Sequence, residues 1–138
     1  MLVDPQPALG AIPAEQVQQI HDSIDEDPYA VVEQFWAQQM FIDTRAEVKQ
    51  GLLAGLHQLP RAAAIELTKE AFAIDVSVAL RRYAGPKFTI VTPRNDAPLS
   101  LHNVVPGVSH RVVSGTGHWI HLDKPEEFNR ALDPFLSV

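Results

Sequence analysis

Apolar residues recur at spacings of three and four through the first part of the chain and then give way to short β-rich runs. Val17, Ile20 and Ile24 share one face of a helix opening around Ile12-Pro13-Ala14-Glu15. Asp27-Pro28 has the form of an N-cap followed by proline at the first helical position, where a missing N–H costs nothing. Val31, Val32, Phe35, Trp36 and Met40 give the helix that follows a broad apolar face. Thr44-Arg45-Ala46-Glu47 fits a capping box, with Asp43 as the alternative cap, and Leu52, Leu53 and Leu56 line the buried side of the next helix. Pro60 opens a helix through Ile65, Leu67 and Phe72, and Val76 to Arg82 forms a shorter one that Gly85-Pro86 ends.

The second part reads differently. Residues 87–92, Lys-Phe-Thr-Ile-Val-Thr, follow a turn signal and predict a strand, and residues 110–114 predict another. A loop over 93–98 and a helical turn over 99–104 lie between them. Asp123-Lys124-Pro125-Glu126 carries a helix-start signature with Asp123 as cap, and Phe128, Leu132, Phe135 and Leu136 form the buried stripe of a last helix. Leu2-Val3 reads as the end of an earlier strand. Strands alternating with helices predict an α/β fold with two or three parallel strands, since parallel neighbours need a crossover. The expected division is residues 1–5 as a core-strand remnant, 6–73 as a helical cap and 74–138 as part of an α/β core. So small a sheet leaves open edges, and unpaired strand edges invite further pairing.

Composition narrows the function classes. The chain is 46% hydrophobic and 20% charged, enough for a packed core. A net charge of -6 argues against nucleic acid and anionic membrane surfaces as partners. The absence of cysteine excludes disulfides, thiolate metal sites and a cysteine nucleophile, and fits a cytoplasmic setting. No signal peptide and no membrane span are expected.

The chemistry concentrates in residues 108–129. A strand delivers Gly115-Thr116-Gly117, His118 stands at the loop tip, and a helix opening on Lys124-Pro125-Glu126-Glu127-Phe128 follows. Such a loop presents an imidazole at the C-terminal edge of a parallel sheet, where α/β folds place their ligands. This segment resembles the α/β-hydrolase family, whose members end in a strand, a Gly-x-Gly-His loop, a Pro-Glu-x-Phe helix start and a final helix. Residues 83–138 follow that plan nearly throughout, and residues 6–82 resemble the family's helical cap in composition and position.

The resemblance implies acyl transfer by a serine, a histidine and an acid, without a cofactor. It assigns His118 as the catalytic histidine and Asp96, in the loop after the first predicted strand, as the acid. Asp4 is the rival acid, because some members place theirs after the earlier strand. The family's Gly-x-Ser-x-Gly elbow is absent: none of Ser23, Ser77, Ser100, Ser109, Ser114 and Ser137 sits between glycines at that spacing. In the family's chain order the nucleophile would precede residue 1. The expectation is therefore the C-terminal half of an ester or acyl hydrolase, inactive alone and completed by an N-terminal half. A non-catalytic binding module that oligomerises through its open sheet edge is the alternative. His118-x-x-His121 is weak as a metal motif, His102 and His110 stand apart in sequence, and no metal is expected. Trp119, Phe35, Trp36, Met40 and Phe41 are expected to make ordinary core contacts rather than a substrate surface.

Overall fold

The computed structural model describes residues 1–6 and 14–137. Its sheet has three parallel strands in the order β1-β2-β3, with β1 at Leu2–Val3, β2 at Lys87–Val91 and β3 at Val108–Val112. Leu2 lies opposite Thr89, and Lys87 opposite Val108. The last strand starts two residues earlier than the β-rich run suggests. The ladder continues past its end, with the Val113 N–H donating to Val91 O at 2.9 Å.

Alternation along β2 sends residues to both faces, so both must be covered. On one face Ile90, fully buried, meets Val113, Ile120 and Ala131, with Val3, Phe88 and Phe128 around them. Phe88 also stacks on Phe135 at a centroid distance of 5.9 Å, holding the last helix, α8 (Pro125–Leu136), against the sheet. On the other face Leu101, Val105 and Val108 pack with Leu2, Val76 and Leu80. These come mainly from α5 (Val76–Arg82) and α6 (Leu101–Val104). Burying each such aliphatic side chain contributes roughly 1.5–3 kcal/mol. The result is a sheet between two helical layers.

The helical block contains α1 (Ala14–Glu26), α2 (Pro28–Phe35), α3 (Ala46–Leu56) and α4 (Arg61–Ala73). The helix opening read at Ile12-Pro13 lies outside the described residues. The Asp27 carboxylate accepts from the N–H groups of Tyr29 and Ala30 at 3.2 and 3.1 Å, with Pro28 at the first helical position, as the Asp-Pro pair predicts. Ile24, fully buried, and Ala64 sit between packed helices, and Lys69 pairs with Asp25 at 2.7 Å. After α2 the chain widens into a π-helical turn at Trp36–Met40, where the Phe41 N–H reaches back to Trp36 O at 2.7 Å.

Two expected caps differ. Thr44 does not cap α3. Its hydroxyl donates back to Met40 O at 3.3 Å, and Arg45 occupies the N-cap position without a side-chain bond. Asp123 does not cap α8 either. It ends an unexpected helical turn, α7 (Ile120–Asp123), and its carboxylate is drawn inward to donors of greater need. Among the described residues no helix is long and apolar enough to cross a membrane.

Candidate functional site

His118 sits beyond the end of β3 in a loop fixed from three directions. Gly115 takes a left-handed φ of +66°, open to glycine at little cost. The His118 backbone N–H donates to Met40 O at 3.0 Å, docking the loop on the end of the π-helical turn. Gly117 lies so close to that turn that a Cβ there would fall 1.7 Å from Thr44 Oγ1, 2.6 Å from Met40 O and 2.9 Å from Ile42 O. Two of those atoms are backbone and cannot rotate away. Gly117→Ala is expected to destabilise the fold by about 2–3 kcal/mol, read as a fall in the urea midpoint. Adding Thr44→Ala should restore only part of it, since the carbonyl clashes remain. Equal stability of Gly117→Ala and wild type would contradict this close docking.

The carboxylate of Asp123, with its side chain 1% exposed, is the loop's anchor. Oδ2 accepts from the Gly117 N–H and the Thr116 hydroxyl, each at 3.1 Å. Oδ1 accepts from the Arg45 N–H at 3.0 Å, at the N-cap position of α3. One carboxylate thus joins the histidine loop to the first turn of α3.

The residue facing the His118 ring is Asp4. Its Oδ2 lies 3.0 Å from His118 Nδ1. Its Oδ1 accepts from the Thr92 N–H at 2.7 Å and the Thr92 hydroxyl at 2.9 Å. Asp4 follows β1 directly, its N–H donating to Ile90 O at 2.6 Å, and it turns at a left-handed φ of 43° that aspartate tolerates better than most side chains. The Asp4 side chain is 3% exposed and that of His118 is 23% exposed. An ionised carboxylate only accepts, so Nδ1 carries the proton and Nε2 presents a lone pair. Among the described residues Nε2 has no intramolecular hydrogen bond. A cleft of about 80 Å³ opens here, lined by Asp4, His118, Met40, Thr92 and Arg94, among others. Arg94 donates to the Gln39 amide oxygen at its rim.

Asp96 is elsewhere. Its Oδ1 lies 3.0 Å from His102 Nε2 and 3.8 Å from His110 Nε2, and it does not line the cleft. Of the two aspartates weighed as partners for His118, the structure brings only Asp4 to the ring. Trp119 packs against the helical block, edge-on to Trp36 at 5.1 Å and tilted on Phe41 at 5.4 Å, and Phe35 meets Phe72. Of these aromatics only Phe41 is buried, and Met40, expected to make core contacts with them, lines the cleft beside His118. Sequence reasoning missed Thr92 and Asp123 as supports of the site. Asp123 left a signal, a buried-side acid six residues past Gly117, but the same residues also spell a helix start.

No protein-family model matches the sequence, and no curated protein matches it. Solved structures do. A bromoperoxidase from Bacillus anthracis aligns over 94% of this chain at 17% identity with a TM-score of 0.66, and the alignment covers 51% of that chain. An N-acyl homoserine lactone degrading enzyme aligns over 96% of this chain at 18% identity with a TM-score of 0.68, covering 56% of that chain. This chain therefore spans about half the length of those proteins. The likeness rests on shape rather than sequence. Both neighbours are α/β-hydrolase-fold proteins, and the fold of this chain is that of the C-terminal portion of an α/β hydrolase.

Proposed function

We infer that this chain supplies the acid and the histidine of a serine-type acyl hydrolase. Asp4 orients His118, and His118 Nε2 is the general base toward a serine carried by another polypeptide segment. The observation that carries this reading is the pair at 3.0 Å between a buried carboxylate and an imidazole at the C-terminal end of a parallel sheet. The reaction needs that arrangement. Nε2 takes the serine proton as the hydroxyl attacks the carbonyl, the imidazolium is stabilised by the aspartate, and the proton then passes to the leaving alcohol. The serine, its elbow and the oxyanion donors come from an N-terminal half, and the block of residues 6–73 acts as cap over a small ester or related acyl substrate. A lactone is a cyclic ester, so the neighbour that degrades N-acyl homoserine lactones supports that substrate class. The small cleft fits a half-site, since complete ligand pockets are several times larger. A purely non-catalytic docking module would leave the Asp4–His118 pair without a purpose.

The test has two arms. The purified chain should hydrolyse a p-nitrophenyl ester no faster than its His118→Ala variant. Joined to the segment encoded in frame upstream of Met1, or to the serine half of an α/β hydrolase, it should gain ester hydrolysis that His118→Ala abolishes. Activity of the chain alone that depends on His118 would overturn the missing-serine part. A joined protein indifferent to His118 would overturn the assignment of the base.

A further inference from the structure

A second cluster of polar side chains lies apart from the Asp4–His118 pair. Asp96 follows a short 3-10 turn after β2, His102 stands on α6, and His110 on β3. One donor atom from each lies within 4.8 Å of the others. The Nε2 atoms of both histidines face the same Asp96 oxygen, at 3.0 Å from His102 and 3.8 Å from His110. The longer distance is no hydrogen bond, so three groups converge with only one bond among them. We propose that Asp96, His102 and His110 form a divalent-cation site that takes Zn²⁺.

The chemistry of the donors selects the ion class. Two imidazole nitrogens and one carboxylate oxygen suit zinc and its neighbours rather than calcium or magnesium, which want oxygen throughout. Zinc bonds of about 2.1 Å in tetrahedral geometry set donors roughly 3.4 Å apart, and the two distances to Asp96 bracket that spacing. The His102 side chain is 1% exposed and fixed, whereas His110 and Asp96 are 39% and 40% exposed. The ion can therefore arrive from solvent and keep a water as fourth ligand. The two rings stack with centroids 3.8 Å apart and an interplanar angle of 11°. Parallel rings cannot aim both lone pairs at one ion, so binding requires His110, on the exposed edge strand, to swing outward while His102 stays in place. His102 Nδ1 is buried without a hydrogen-bond partner. The ring thus lacks the outer bond that usually tightens a histidine ligand, a deficit of about 10–100-fold in affinity. The expected affinity is micromolar.

The experiment is calorimetric titration of the metal-stripped full chain with ZnCl₂, with histidine ring signals followed by NMR. One equivalent should bind, shifting the rings of His102 and His110 and leaving that of His118 unmoved. Asp96→Asn and His110→Ala, both at partly exposed positions, should each weaken binding by about tenfold or more, and His121→Ala should not. Absence of saturable binding below about 1 mM would overturn the site, as would binding that survives both Asp96→Asn and His110→Ala. Neither result depends on hydrolytic activity, so the site stands or falls separately from the proposed function.

Discussion

Asp4→Asn is expected to lower kcat of the completed hydrolase by about four orders of magnitude, while Asp96→Asn leaves it within a few-fold. The reason lies in the allocation of donors. Asp4 Oδ1 is already committed to the Thr92 N–H at 2.7 Å, a backbone donor that cannot be reversed. An asparagine must keep its single oxygen there, which turns its NH₂ group toward His118 Nδ1. Nδ1 must then accept, the proton moves to Nε2, and the ring can no longer take a proton from serine. Substrate binding is unchanged in this variant, so the loss falls on kcat and KM stays near its original value. The chain by itself offers a second readout, because the tautomer exchange is visible in the ¹⁵N shifts of the ring. Should Asp96→Asn carry the loss and Asp4→Asn spare the rate, the assignment of the acid is refuted.

Asp123→Ala should cost about 3–5 kcal/mol of folding stability, a large share of the roughly 5–15 kcal/mol that holds a domain together. Most of that comes from backbone donors. The N–H groups of Gly117 and Arg45 both lose their acceptor, whereas the Thr116 hydroxyl can still donate to Gly117 O at 3.1 Å. The Arg45 guanidinium, 3.7 Å from the carboxylate and half exposed, contributes little because solvent screens it. Asp123→Asn retains one acceptor and should lose roughly 1–2 kcal/mol. Urea denaturation measures both, and an alanine variant within about 1 kcal/mol of wild type would refute the anchoring role.

The elements that depend on local pattern were legible in the sequence. The Asp27-Pro28 cap, the three-and-four spacing of α1 to α4, and the β-rich run of β2 each record a choice made within a few residues. The site was legible only in part. The glycine-flanked loop pointed to His118, because the chain must turn tightly there whatever else it contacts. Which aspartate faces the ring was not legible, since Asp4 and Asp96 both follow strands and β2, the strand before Asp96, even lies nearer β3 than β1 does, so the turn after each strand decides which one reaches the ring. The left-handed turn at Asp4 completes that approach and leaves no mark in the sequence. Asp123 misled for a related reason: Asp-Lys-Pro-Glu spells a helix start locally, but the buried Gly117 N–H and the partly buried, sequence-distant Arg45 N–H compete for the same carboxylate and win. The meeting of His102 with His110 arises because α6 and β3 pack together, which no spacing within one helix or strand encodes.

The carboxylate of Asp123 also constrains how such a protein can open. The start of α3 and the histidine loop are tied through one bond at each oxygen, the one to Gly117 buried and the one to Arg45 partly so. Any movement of the first turn of α3 against the sheet must carry the histidine loop with it or break those bonds. The loop that carries His118 thereby keeps its place against α3 for as long as the Asp123 bonds hold.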